Sequence, residues 1–154
     1  MNDFTMTKDA AGIATIVWDC LERSMNVMNI EGMHQLDSFI DDALADETVR
    51  GIIITSGKKD FAGGMDLNVL ADMKTTSGDS PAKGVFEGIM SMHKALRKIE
   101  LAGMNAKTKK GGKPVAAVLP GTAMGIGFEL PLSAHRIFAA TNPKAKIGLP
   151  EIMV

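Results

Sequence analysis

The segment Arg50-Gly51-Ile52-Ile53-Ile54-Thr55 limits the possible folds more than any other part of this chain. Four apolar or β-branched residues in a row follow a glycine. A strand without polar alternation reads as one buried on both faces, which predicts a sheet with helices packed on either side. Pro114-Val115-Ala116-Ala117-Val118-Leu119 is a second candidate of this kind. Ile13-Ala14-Thr15-Ile16-Val17-Trp18, bounded by Gly12 and Asp19, reads as a third strand.

Between these runs the spacing becomes helical. Ile30, Met33, Leu36, Ile40, Ala43 and Leu44 recur at steps of three and four, with Asp41, Asp42 and Asp46 on the other face. Phe86, Ile89, Met90, His93 and Leu96 repeat that pattern, and a short helix follows through Leu130 and Leu132. Residues 21–29 read as a polar turn segment, and 75–84 and 103–113 as loops. Short strands are expected at Ile137–Ala140 and Ala145–Ile147. Alternating strands and helices predict an α/β fold with right-handed crossovers, and no repeat or linker marks a second domain.

Charge narrows the function. Seventeen basic residues against eighteen acidic ones give a net charge of −1, which argues against nucleic acid or an anionic membrane as the main partner. The basic cluster Lys107, Lys109, Lys110 and Lys113 lies among glycines and reads first as a solvated loop, second as a local phosphate site. Cys20 is the single cysteine, so no internal disulfide is possible and a structural thiol is expected. His34, His93 and His135 lack metal-ligand spacing, and no metal site is expected. The start carries no signal-peptide pattern, and no apolar run reaches the ~20 residues that span a bilayer. These features predict a soluble, cytoplasmic protein.

Three glycine-marked turns carry the chemistry: Phe61-Ala62-Gly63-Gly64-Met65-Asp66-Leu67, Gly125-Ile126-Gly127-Phe128-Glu129-Leu130, and Gly148-Leu149-Pro150-Glu151-Ile152. A phosphate cradle is the first use to weigh. The dinucleotide spacing needs a third glycine where Leu130 stands, and Gly57-Lys58-Lys59 lacks the P-loop spacing and hydroxyl. The second use is an oxyanion hole, because amides freed at a helix start point outward and favour negative charge. If the turns at 61–67 and 121–127 adjoin, each supplies one donor. Glu129 is both a helix-start carboxylate and a catalytic candidate, and Glu151, aimed by Pro150, reads alone first as a surface glutamate and second as a catalytic one. Asp66 reads as a turn or capping residue. No Gly-x-Ser-x-Gly elbow supports serine-hydrolase chemistry. The residues alone reach an acid–base enzyme with an oxyanion hole.

These three segments, in this order and at these separations, resemble the enoyl-CoA hydratase/isomerase (crotonase) superfamily over nearly all 154 residues. Asn26-Val27-Met28-Asn29 and Gly148-Leu149-Pro150-Glu151 are most similar to the N-terminal hydratase region of multifunctional fatty acid oxidation alpha subunits. In those proteins a 3-hydroxyacyl-CoA dehydrogenase region follows.

The resemblance implies a spiral of ββα units and syn-hydration of trans-2-enoyl-CoA to 3-hydroxyacyl-CoA in fatty acid β-oxidation. Glu129 and Glu151 would be catalytic, and the N–H groups of Met65 and Ile126 would hold the thioester oxygen. Ala62, Gly63, Gly64, Asp66, Leu67 and Gly125 would contact the acyl-CoA. Coenzyme A enters as the substrate thioester, with no separate cofactor. A trimer-type homo-oligomer, or a β-oxidation complex with a thiolase, is the implied assembly. Other reactions of the superfamily (isomerisation, thioester hydrolysis, decarboxylation) and a silent acyl-CoA-binding module are the alternatives.

Two residues depart from the family pattern: Ile126 stands where a small residue is usual, and Pro131 follows Glu129 inside an expected helix. The apolar ending Ile152-Met153-Val154 suggests that residues 1–154 are one domain of a longer protein, stopping before the family's C-terminal helices. The twelve methionines, Met28, Met33, Met73 and Met92 among them, read as core packing ahead of a broad acyl pocket.

Overall fold

The computed structural model describes residues 2–69 and 81–153. Five strands form the main sheet in the order β1-β2-β3-β4-β6: β1 (Phe4–Lys8), β2 (Ile13–Trp18), β3 (Gly51–Ser56), β4 (Val115–Leu119) and β6 (Arg136–Ala139). β1 runs antiparallel to β2, and the other neighbours are parallel. Parallel neighbours need long crossovers. Helix α1 (Ile30–Ala45) links β2 to β3, and α2 (Pro81–Leu101) lies between β3 and β4. The link from β4 to β6 holds β5 (Ala123–Met124) and α3 (Ile126–Ser133). β5 pairs in parallel with β7 (Ile147–Gly148), and a 3-10 turn, Pro150–Met153, follows.

The helix predicted from Ile30 forms because its ends and one face are satisfied. The Asn29 side chain accepts the Gly32 N–H at 2.6 Å, which caps the first turn. Met33, Leu36, Ile40 and Ala43 are buried, whereas Ile30 is half exposed at the start. The far end has no basic residue of its own in the last turn. Lys113 closes it instead, donating to the carbonyls of Ala43 at 2.7 Å and Asp46 at 2.6 Å. Lys113 therefore departs from the solvated-loop reading and stabilises the negative end of a helix dipole. Lys107, Lys109 and Lys110 are exposed as expected.

The core gathers on one face of the sheet. Ile16, Trp18, Ile52, Ile54, Val115, Ala117 and Leu119 are buried, and Trp18 stacks on Phe4 and meets Phe61 edge-on. The expectation that β3 is covered on both faces is corrected: Ile53 and Thr55, pointing the other way, are only half-buried. An apolar run marks a strand without saying how completely each face is covered. A second correction concerns α2, where Phe86, Ile89, Met90 and His93 are exposed and Ala95 and Ile99 carry the burial. The period identified a helix but not the covered face. The loop expected over 75–84 lies outside the described residues as far as residue 80, and the chain is helical from Pro81. Met73 also lies outside them.

Pro131 sits within α3, which continues to Ser133. Its missing N–H removes the bond that would reach back to Gly127, and the helix stops within the same turn. Among the described residues no helix is long and apolar enough to cross a membrane.

Candidate active site

The turn at 61–67 is built by one buried amide. The Asn26 side chain is fully buried and ties four groups together. Its oxygen accepts the Cys20 N–H, and its nitrogen donates to the Trp18 carbonyl, the Ser56 hydroxyl and the Phe61 carbonyl, each at 2.9 Å. The Asn26 carbonyl also accepts the Gly63 N–H at 2.8 Å. Gly64 then takes φ +111°, a conformation that glycine supplies without strain. Its carbonyl accepts the Met28 N–H, and the Asp66 N–H goes to the Met28 carbonyl. The Met65 N–H between them has no hydrogen-bond partner among the described residues.

The second turn lies directly against the first. Ala62 bridges Ala123 in parallel, with the Met124 N–H donating to the Ala62 carbonyl at 3.0 Å. A Cβ on Gly127 would stand 2.6 Å from the Cβ of Ala62, so only glycine allows this approach. Gly125 caps α3 at φ 54° with no side-chain cap. Its carbonyl accepts the Phe128 and Glu129 N–H groups, while the Ile126 N–H has no partner among the described residues. The left-handed position falls on Gly125, so β-branched Ile126 starts the helix unstrained and 4% exposed. Two unpaired amides thus lie on adjoining turns, one of them at a helix N-terminus.

The third segment arrives by strand pairing. β5 and β7 align Ala123 with Ile147 and Met124 with Gly148, and the Gly125 N–H donates to the Gly148 carbonyl at 3.0 Å. Glu151 follows in the 3-10 turn, and a Cβ on Gly125 would stand 3.3 Å from one of its carboxylate oxygens. Glu129 is bonded through its own N–H to the same Gly125. Gly125 thus lies beside the Glu151 carboxylate and starts the helical turn that carries Glu129. Glu129 is half-buried and Glu151 exposed, and neither carboxylate has a polar partner among the described residues.

Asp66 is buried and serves the turn. One oxygen accepts the Asn68 N–H at 3.0 Å, and the other meets the Arg23 guanidinium at 2.6 Å. Arg23 so neutralises a negative charge that would otherwise oppose an oxyanion at the neighbouring Met65 amide. Gly63 and Leu67 lie at the surface, and Ala62, Gly64 and Gly125 are buried and act through the backbone. Neither Asn26 nor Arg23 stands out as structural in the sequence, because both lie in a segment with loop composition. Their one signal was two hydrogen-bonding side chains within four residues of each other. Burial pushes the Cys20 thiol up, as a structural cysteine requires. Among the described residues no group of three or more His, Cys, Asp or Glu could hold a metal ion.

The family model described as enoyl-CoA hydratase/isomerase matches residues 9–154, and the chain belongs to that family. The fold is accordingly crotonase-like. The chain is 29% identical to the fatty acid oxidation complex subunit alpha of Shewanella sp. (strain ANA-3) over 98% of its own length and 19% of the relative's. The crystal structure of enoyl-CoA hydratase from Thermoplasma volcanium GSS1 matches at 29% identity and TM-score 0.78, covering 99% of this chain and 53% of that one. An enoyl-CoA hydratase/carnithine racemase structure from Magnetospirillum magneticum shares the fold at TM-score 0.80 and 22% identity, covering 100% of this chain and 52% of that one. The chain thus spans about a fifth of that curated relative and about half of these solved structures.

Proposed function

We propose that this chain hydrates trans-2-enoyl-CoA to 3-hydroxyacyl-CoA. Supporting this reading are two unpaired amides on adjoining turns, and a Glu151 carboxylate beside Gly125, whose carbonyl accepts the Glu129 N–H. In this reading the N–H groups of Met65 and Ile126 hold the thioester oxygen. Water held between Glu129 and Glu151 adds its oxygen to the β-carbon and loses a proton to one carboxylate. The π electrons move to the thioester oxygen as an enolate, which the two amides stabilise, and the other glutamate, protonated, delivers a proton to the α-carbon. A single oxyanion donor of this kind contributes about 3–4 kcal/mol to the transition state. The coenzyme A portion runs past the turn that carries Gly63 and Leu67. The curated relative is named as a subunit of a fatty acid oxidation complex, and the proposal includes work as the hydratase part of such an assembly, with a thiolase as partner.

The mass of the product tests the reaction. Hydration of a trans-2-enoyl-CoA yields a product heavier by one water. A product of unchanged mass with a displaced double bond, or free coenzyme A, would replace hydration by isomerisation or hydrolysis.

A further inference from the structure

Arg23 and Asp66 stand 43 residues apart in sequence and meet at 2.6 Å, with the Asp66 side chain 8% exposed and that of Arg23 49%. Other contacts already hold the turn. Met28 bridges Met65 in parallel, and three backbone bonds join the same two segments. The Gly63 N–H donates to the Asn26 carbonyl, the Met28 N–H to the Gly64 carbonyl, and the Asp66 N–H to the Met28 carbonyl. The Asp66 carboxylate has a task of its own in accepting the Asn68 N–H, which a neutral asparagine performs equally well. Its negative charge therefore adds nothing to the geometry of the turn. Among the described residues Arg23 is the one cation paired with that charge, and its guanidinium has no other partner.

We propose that Arg23 governs the rate of the reaction by cancelling the Asp66 charge. It acts on the oxyanion through Asp66, without touching substrate and without shaping the turn. The inference rests on the oxyanion reading of the Met65 and Ile126 amides and deepens it. Enolate formation brings negative charge to the Met65 N–H. An uncompensated carboxylate on the next residue repels that charge, and its burial limits the screening by water. The thioester oxygen is uncharged before reaction, so the repulsion falls on the transition state and spares binding.

Initial rates with crotonyl-CoA over a range of concentrations, measured on three folded variants, test this. Arg23→Gln should lower kcat about tenfold while KM barely moves. Arg23→Lys should restore the rate, because one guanidinium nitrogen makes the contact and an ammonium supplies the same charge. The double variant Arg23→Gln/Asp66→Asn should recover to within about threefold of wild type, a gain that a second structural loss does not produce. The share of bound acetoacetyl-CoA held as its enolate, read from the enolate absorbance, should follow the same order without any turnover.

A double variant no better than Arg23→Gln, a loss confined to KM, or an Arg23→Gln enzyme as fast as wild type would overturn the inference while leaving the oxyanion reading intact. If the wild-type chain binds the enolate without hydrating crotonyl-CoA, hydration falls and the enolate series alone decides. A wild-type chain that neither hydrates crotonyl-CoA nor holds acetoacetyl-CoA as its enolate would remove both.

Discussion

Glu151→Gln is expected to slow hydration of an enoyl thioester by about 10²–10⁴-fold, and Glu129→Gln by the same order, because each loses one proton-transfer group. Glutamine keeps the shape of the side chain but can neither take a proton from water nor deliver one to carbon. Neither carboxylate has a polar partner among the described residues, so the substitution breaks no internal contact and the fold should persist. Thioester binding measured by calorimetry should change little, which confines the loss to the chemical step. Initial rates under saturating substrate make the comparison. Two similar losses fit a reaction that uses both glutamates on one water. A large loss at one position beside a small loss at the other fits a reaction with a single base, and would move the assignment to another chemistry of the superfamily.

Asn26→Ala carries the largest expected effect on stability, about 4 kcal/mol in urea unfolding. The substitution leaves the Phe61 carbonyl and the Cys20 N–H buried without their partner, while the Trp18 carbonyl keeps the Gly57 N–H. Each such orphaned group costs about 1–3 kcal/mol, and water has no easy route to them. Asn26→Asp should not rescue the loss, since it keeps the acceptor but sets a buried charge against two carbonyl oxygens. Activity should fall further than stability at temperatures where the variant is still folded, because the Asn26 side chain also holds the Phe61 carbonyl at the start of the turn that aims the Met65 amide. A cost below about 1 kcal/mol would show that the turn is held by other contacts.

The glycine turns were legible in the sequence because their backbones demand glycine. Gly64 at φ +111° and Gly125 at φ 54° cannot be replaced cheaply, so the chemistry leaves a compositional mark. The first helix was legible for a similar reason, a spacing imposed by one covered face. What escaped depends on contacts between distant segments. β1 is five residues long and its Phe4 gains meaning only by stacking on Trp18. β5 is two residues long and no local pattern announces it, and the strand expected over Ala145–Ile147 falls at Ile147–Gly148; their pairing brings Glu151 beside Gly125. Asn26 and Arg23 looked like turn composition, because only the folded chain shows one fully buried and the other paired with Asp66. Ile126 departs from the family's small residue, and the position that demands glycine lies one residue earlier, at Gly125.

The most direct measurement is the enone absorbance of crotonyl-CoA mixed with the wild-type chain. Hydration removes the conjugated double bond, so the account predicts a catalytic, enzyme-dependent decay of that band to an equilibrium with 3-hydroxybutyryl-CoA. A band that stays unchanged while calorimetry shows crotonyl-CoA bound would contradict the hydratase assignment and leave a chain that holds acyl-CoA without turning it over.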